Sequence, residues 1–131
     1  MKRIALYSVL LLLLSCSSVK DSGNVISRAF SAVDSARELV LAPNHAFEIV
    51  LASNPTTGYD WTVQIENSAI VQKVSQTFEA DSSGRVGAGG NTTWTFQTDR
   101  VGKTEITFLY HRPWEKETPP TRVVTFQISV R

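Results

Sequence analysis

Apolar and polar residues alternate along most of this chain from about residue 37 to its last residue. Phe47, Ile49 and Leu51 fall on one side of the alternation, for example, and Glu48 falls on the other. A period of two indicates a strand with one buried face, because successive side chains of a strand point to opposite sides of its sheet. The alternation predicts seven strands, at residues 39–41, 47–51, 61–66, 69–78, 94–97, 105–110 and 124–130. The sequence therefore predicts an all-β domain over residues 37–131.

Seven short strands separated by turns favour an immunoglobulin-like antiparallel β-sandwich over a helical or α/β fold. The chain contains a single cysteine, which excludes the inter-sheet disulfide of an antibody domain. A domain of this length can bury about two-thirds of its unfolded surface, so it can form a core without disulfides.

The front of the chain is typical of a secretion signal. Met1–Arg3 is basic, and the apolar run Ile4–Leu14 is shorter than the roughly 20 residues of a membrane-spanning helix. The run leads into Leu13-Leu14-Ser15-Cys16, which resembles the bacterial lipobox, whose cysteine is acylated, with palmitate among the chains. We therefore assign residues 1–15 to a lipoprotein signal peptide. An ordinary signal peptide with an incidental cysteine is the alternative.

The lipobox resemblance implies that Cys16 carries the lipid and anchors the protein in the cell envelope. Ser17 follows the cysteine, and in Gram-negative lipoproteins this implies the outer membrane, facing the periplasm or the exterior. Residues 16–36 are rich in serine and have little periodic pattern, so we predict a lipidated N-terminus and a flexible tether. A short helix over residues 25–33 is left open.

The charge of the predicted mature chain is nearly balanced. Loss of Lys2 and Arg3 with the leader leaves 11 basic and 12 acidic side chains, and no basic stripe is visible. This balance gives no electrostatic reason to expect a nucleic-acid partner. We expect a monomer without a cofactor.

Three connections between the predicted strands have unusual compositions. They are residues 53–60, 79–91 and 112–121, which we call the first, second and third loop. Each follows an even-numbered strand, and successive connections of an antiparallel sandwich generally alternate between its two ends. The three loops are therefore expected at one end, where they would form a binding edge.

The first loop has a sequence that shapes a tight turn. It contains Asn54-Pro55-Thr56-Thr57-Gly58-Tyr59. Pro55 has no amide donor, and Gly58 permits a positive φ. The hydroxyls of Thr56 and Thr57 need no structural partner on a loop tip, so we expect them to be available to a ligand. The alternative is an ordinary Asn-Pro turn; Trp61, which follows on the inward face of its strand, is assigned to the core.

The third loop contains a tryptophan outside the inward alternation. It begins with Arg112-Pro113-Trp114 and ends with the proline pair Pro119-Pro120. Tryptophan and arginine are favoured anchors of protein interfaces, and Pro113 would stiffen this segment. We therefore predict an exposed contact residue at Trp114, with a side chain folded back onto the sandwich edge as the alternative.

The second loop contains four glycines, of which Gly87, Gly89 and Gly90 lie close together. It is not a phosphate-binding loop, because no lysine follows at P-loop spacing and no helix begins after it. Two interpretations stay open: a flexible hairpin tip, or a bare backbone that can lie against another chain.

A catalytic site finds little support in the sequence. His45 and His111 are the only histidines, and the parity of the connections places them at opposite ends. A serine–histidine–acid triad or a three-ligand zinc site would need residues that this arrangement does not bring together. We predict no catalytic residue and no metal site.

Taken in order, the three loop sequences are similar to a known pattern. Asn54-Pro55-Thr56-Thr57-Gly58-Tyr59 with Trp61, Gly87-Ala88-Gly89-Gly90, and Arg112-Pro113-Trp114 resemble the three motifs of the chagasin family. This family consists of protein inhibitors of papain-like cysteine proteases with an immunoglobulin-like fold. The resemblance covers residues 37–131, and the specificity comes from the order and spacing of three motifs rather than from any one.

The resemblance implies a reversible inhibitor that occludes the active-site cleft of a papain-like cysteine protease. The first loop would enter the cleft with Thr56 nearest the catalytic cysteine. The glycines of the second loop would run along one side by backbone contact, while Arg112 and Trp114 would contact the other side. The alternative function is a non-inhibitory envelope lipoprotein with an adhesive or scaffolding domain.

Overall fold

The computed structural model describes residues 28–131 of the chain. The seven strands are β1 (Leu39–Leu41), β2 (Ala46–Ser53), β3 (Asp60–Ile65), β4 (Val71–Ala80), β5 (Gly90–Thr98), β6 (Gly102–His111) and β7 (Arg122–Val130). Two short 3-10 helices, Ala32–Ala36 and Pro55–Thr57, complete the regular structure of the described residues. The predicted all-β fold and the number of strands are confirmed. No helix of the described residues is long and apolar enough to span a membrane.

The strands form two sheets that face each other. One sheet has the order β1-β7-β6-β3 and the other has the order β2-β5-β4. Their pairs are antiparallel with one exception: β1 runs parallel to β7, with Leu39 opposite Ile128 and Leu41 opposite Val130. The fold is therefore a sandwich in which a single short edge strand departs from the predicted antiparallel arrangement.

The core lies between the sheets and follows the alternation read from the sequence. Its largest fully buried side chains are Trp94, Phe96, Phe108 and Phe126. Burial of a large apolar side chain contributes about 1.5–3 kcal/mol, so this aromatic layer is a principal source of stability. The weak pattern of β4 has a structural reason: β4 is an edge strand in which Val71 is buried and the next nine residues are exposed.

The pairing registers bring the three loops to one end of the sandwich. Ser53 and Ala80 both lie opposite Gly90, so the first and second loops leave neighbouring strand ends. Asp60 lies opposite His111 at the corresponding end of the other sheet. The second and third loops are hairpins within one sheet each, whereas the first loop crosses between the sheets. The first loop is therefore the central one, with a hairpin of each sheet beside it.

The described part of the predicted tether packs against the sandwich. Phe30 is buried, and it forms a parallel bridge with Ile49 at the edge of β2. The prediction of a flexible segment up to residue 36 is therefore wrong for residues 28–36. The sequence pattern missed Phe30 because a single bridge residue leaves no alternation to detect. The leader, Cys16 and the rest of the predicted tether lie outside the described residues.

A buried carboxylate holds this N-terminal segment together. Asp34 accepts hydrogen bonds from Arg28 at 2.7 and 2.9 Å, from Arg37 at 3.1 Å and from the amide of Ser31 at 2.9 Å. The hydrogen bonds from Arg28 and from the Ser31 amide lower the pKa of Asp34 well below its usual range, since they favour the charged form. The helix Ala32–Ala36, which the open prediction for residues 25–33 only partly overlaps, begins at this cluster.

Candidate functional site

The first loop is a closed turn. Pro55–Thr57 forms one turn of 3-10 helix, in which the Thr57 amide donates to the Asn54 carbonyl at 3.2 Å. Gly58 ends the turn with φ +81°, and its amide donates to the Pro55 carbonyl at 3.0 Å. A left-handed residue is costly for any side chain with a Cβ, so the glycine is needed to reverse the chain here.

Both threonine hydroxyls of the first loop are paired within the loop. The Thr56 hydroxyl donates to the Asn54 side-chain carbonyl at 2.5 Å, and the Thr57 hydroxyl donates to the Asn54 main-chain carbonyl at 2.7 Å. The expectation that these hydroxyls need no structural partner is therefore wrong. Each oxygen still has an unused lone pair, so the exposed hydroxyls can accept hydrogen bonds from a ligand but have already committed their protons.

Asn54 connects the first loop to its surroundings. Its amide donates to the Tyr110 hydroxyl at 3.0 Å, and its side-chain nitrogen donates to the Gly87 carbonyl at 2.9 Å. The second of these bonds joins the first loop to the second. Asn54 thus serves the shape of the site from the base of the turn.

Aromatic rings support the far side of the first loop. Tyr59 stacks on Tyr110 with ring centroids 5.3 Å apart, and Tyr110 lies 4.7 Å from Trp61. Trp61 is buried, and its indole nitrogen donates to the Ala52 carbonyl at 3.1 Å. Its assignment to the core is confirmed, and the stack extends that core up to the loop.

The third loop contacts the first through Arg112. The guanidinium lies 4.6 Å from the centre of the Tyr59 ring, and its Nε donates weakly to the Thr57 carbonyl at 3.4 Å. It also pairs with Glu115 at 3.3 Å. These contacts place Arg112 in the candidate site. They also occupy part of the guanidinium with partners in the same protein, so fewer of its N–H groups remain for a protease than the resemblance implies.

Trp114 lies at the exposed tip of the third loop. The Glu115 amide donates to the Arg112 carbonyl at 3.0 Å, so Pro113 and Trp114 occupy the two central positions of a turn, with the exposed proline at the position it favours. The Trp114 side chain is 66% exposed, as predicted for a contact residue. The edge of its ring lies directly over Gly58, where a Cβ would collide with it. Gly58 is therefore needed for space as well as for its backbone conformation.

The second loop shows two kinds of glycine. Gly89 and Gly90 sit where a Cβ would collide with the carbonyls of Ser53 and Glu79, so close strand packing already requires them. Gly87 is exposed, has φ +78° and has open space around it. Of the three predicted site glycines, Gly87 is exposed and the other two are half-buried, and the Gly87 carbonyl accepts the bond from Asn54. The geometry leaves both interpretations of the loop open.

The described residues contain no group of three or more side chains suited to a metal ion. His111 pairs with the Thr62 hydroxyl at 2.7 Å beside the loops, whereas His45 lies at the opposite end against the Pro43 carbonyl. The arrangement at the loop end is that of a shaped surface built from turns and rings. It offers hydrogen-bond acceptors, an exposed indole and backbone groups to a partner.

Tyr110 belongs to this site, although the sequence pattern did not indicate it. Its place at the end of an inward alternation marks it as a core residue, and it does pack against the core. The hydroxyl contact with Asn54 joins residues 56 positions apart, and no local pattern reports a contact at that separation.

Comparison with known proteins identifies the family. Residues 40–130 match the model of the chagasin family of peptidase inhibitors, I42. Amoebiasin-2 of Entamoeba histolytica is 32% identical over 89 residues, which cover 67% of this chain and 72% of that protein. Chagasin of Trypanosoma cruzi is 32% identical over 81 residues, which cover 58% of this chain and 73% of chagasin.

A solved structure supports the same conclusion. The crystal structure of the cysteine protease inhibitor EhICP2 from Entamoeba histolytica is similar with a TM-score of 0.72 and 28% identity, covering 79% of this chain and 95% of that one. The matched residues include all three loops. Both the sequence and the β-sandwich of this chain show that it belongs to the chagasin family of peptidase inhibitors.

Proposed function

We propose that this protein reversibly inhibits papain-like cysteine proteases by occluding the active-site cleft with its three loops. The observation that carries the proposal is the position of the first loop, which crosses between the sheets with a hairpin of each sheet beside it. A central projecting turn with two flanking loops suits a cleft with two walls. Thr56 and Thr57 would enter the cleft, with the second loop along one wall and Trp114 on the other.

Contacts between the loops support a surface that is formed before binding. Asn54 bonds to Gly87, Arg112 lies on Tyr59, and Trp114 packs over Gly58. A preorganised surface loses less conformational freedom on association, so more of the contact energy contributes to affinity. An interface of standard size, about 800 Å² per partner, would suit such an edge.

The closed first loop favours inhibition without cleavage. Its amides at Thr57 and Gly58 bond to carbonyls three residues earlier, so the segment is a helical turn rather than an extended peptide. A protease would have to open this turn, against its hydrogen bonds and its aromatic support, to bring a peptide bond into reach. We therefore expect the inhibitor to leave the cleft intact.

Titration against papain and cathepsin L tests the proposal. Residues 17–131 contain every contact described above and should abolish the activity of both enzymes near a one-to-one ratio. Activity should return on dilution, and mass spectrometry should find the inhibitor uncut. Trypsin, a serine protease, is the control and should be unaffected. Full activity of papain and cathepsin L at micromolar inhibitor would contradict the proposal for these enzymes.

We also propose that a lipid on Cys16 anchors the inhibitor in the cell envelope, at the outer membrane. Phe30 runs parallel to β2, so Arg28–Phe30 approach that strand from the Ala46 side, opposite the three loops. A tether over residues 17–27 spans at most about 35–40 Å when extended. The anchor would then attach to the sandwich from the end opposite the three loops.

Mass spectrometry and fractionation test the anchor. The mature protein should begin at Cys16 with the added mass of acyl chains and should sediment with outer membranes. The Cys16→Ser variant should lose both properties and keep its inhibition constant. An unmodified chain in the soluble fraction would contradict the anchor and leave the inhibitory proposal intact.

A further inference from the structure

Tyr110 lies where the core meets the candidate site. It follows Ile106 and Phe108 on the inward face of β6, and it lies opposite Trp61 in β3. Unlike those two preceding residues it is only half-buried, because β6 reaches the loop end of the sandwich at this position. Its ring therefore belongs to the core while its hydroxyl lies at the base of the loops.

The Tyr110 hydroxyl joins the two sheets at the start of the first loop. It accepts the hydrogen bond from the Asn54 amide at 3.0 Å. Asn54 directly follows β2 of the three-stranded sheet, whereas Tyr110 belongs to the four-stranded sheet. Since the first loop crosses between these sheets, this bond fixes where the crossing begins.

The orientation of Asn54 then determines the loop above it. With its amide held, the Asn54 carbonyl accepts bonds from the amide and hydroxyl of Thr57. The Asn54 side chain accepts from Thr56 and donates to the Gly87 carbonyl. A rotation at Asn54 would disturb all of these bonds together.

Tyr110 also contacts the other end of the first loop and the third loop. Its ring stacks on Tyr59, and its carbonyl accepts bonds from the amide and the hydroxyl of Thr121 at 2.9 and 3.1 Å. One residue of β6 thus touches both ends of the first loop and the last residue of the third.

We infer that Tyr110 is a positioning residue for inhibition, whose hydroxyl holds Asn54 so that the first loop keeps its binding shape. The inference deepens the proposed function and rests on it. Tyr110 itself lies behind the first loop and acts through Asn54. Loss of the hydroxyl would let the loop populate other shapes, and apparent affinity falls in proportion to the fraction that remains competent.

The Tyr110→Phe variant tests the inference because it keeps the ring and removes the hydroxyl. We expect its inhibition constant against papain to rise about tenfold, which corresponds to about 1.4 kcal/mol. The exchange of the Asn54 amide with solvent, followed by NMR in the free protein, should accelerate at least tenfold. An unchanged inhibition constant in a folded variant would overturn the inference.

Thr104→Val is the matched control. The Thr104 hydroxyl accepts a bond from the Asn67 amide, also at 3.0 Å, at the opposite end of the sandwich. This variant should lose thermal stability without a change in the inhibition constant. Equal losses of inhibition in the two variants would mean that Tyr110 acts only through general stability, and would overturn the inference.

The exchange measurement separates this inference from the proposed function. If the unaltered protein leaves papain active, the proposed function fails for that enzyme, yet the Asn54 amide still reports whether Tyr110 holds the loop. Rapid exchange of that amide in the unaltered protein, or equal exchange in Tyr110→Phe, would overturn the positioning role whatever the papain assay shows.

Discussion

The first and second loops occupy the same end of the sandwich but are built differently. In the first, the hydroxyls of Thr56 and Thr57 and the amides of Thr57 and Gly58 are all bonded within the loop. In the second, the residues from Asp81 to Gly87 are exposed, and Val86 contacts almost nothing. The second loop has fewer side-chain bonds of its own, among them the bond from the Ser83 amide to the Asp81 side chain, and it joins the first loop through the bond from Asn54 to Gly87.

The difference follows from the side chains. Asparagine and threonine carry short polar groups that bond to nearby backbone, so they can close a turn on itself. Glycine supplies no such group and gives a wide choice of backbone conformations. We therefore expect affinity to depend on the shape of the first loop and less on any single position of the second. Substitutions at Gly58 and Gly87 test this expectation directly, while Trp114→Ala and Asp34→Asn measure the effects of the third loop and of a residue outside the loops.

Gly58→Ala should have the largest effect, because it strains the first loop and displaces its neighbour. A left-handed alanine costs about 1–2 kcal/mol, and the new methyl group would collide with the Trp114 ring. We expect the inhibition constant to rise at least about 100-fold. Gly84→Ala is the control, since Gly84 has a similar φ of +69° with open space around it. An equal rise of the inhibition constant in the two variants would contradict the greater importance of the first loop.

Trp114→Ala should have the next largest effect, since it removes the exposed ring beside the first loop. A hot-spot aromatic contributes about 2 kcal/mol, so we expect the inhibition constant to rise about 30-fold. The side chain is 66% exposed, so the free energy of unfolding should barely change. An unchanged inhibition constant would remove Trp114 from the site.

Gly87→Ala should weaken inhibition about fivefold, because it strains the point at which the second loop bonds to Asn54. The loop around it can relax, so the effect should be smaller than at Gly58. Gly84→Ala strains the same loop without touching that bond and should change the inhibition constant less than twofold. A larger rise of the inhibition constant in Gly84→Ala than in Gly87→Ala would indicate that the second loop binds through its tip near residue 84.

Asp34→Asn should leave inhibition unchanged, because Asp34 bonds to Arg28, Ser31 and Arg37 and to no residue of the three loops among those described. The pKa of Asp34 is lower in the folded protein, so its carboxylate stabilises the fold above the unfolded value of about 4, and this stability is lost as the pH falls. We expect a melting temperature about 5 °C lower than that of the unaltered protein at pH 7. In thermal unfolding experiments, the difference in melting temperature between the variant and the unaltered protein should become smaller below pH 4. A difference in melting temperature that grows as the pH falls would contradict a stabilising role of the Asp34 carboxylate.

The predicted site and the observed one overlap in their residues more than in their contacts. Trp61 is buried, as its place on the inward face of its strand indicated, and Trp114 is exposed, as its place in the third loop outside the alternation indicated. Arg112, by contrast, lies on Tyr59, and Gly89 is required by the nearby Ser53 carbonyl. Both residues fit a binding motif by type, but packing within the protein accounts for much of their placement.

By itself, the sequence determined the strands, the inward faces and the common end of the three loops. The strands and their inward faces follow from a period of two residues, which is a local pattern, and the common end of the loops follows from counting the strands between them. Only the tertiary structure decided that the threonine hydroxyls are paired, that Phe30 joins the core, and that Tyr110 holds Asn54. The contacts of Phe30 and Tyr110 join residues far apart in the sequence, which meet only once the sandwich has formed. The bonds from the threonines to Asn54 are local, but they depend on the closed turn of the first loop, which no period of residues reports.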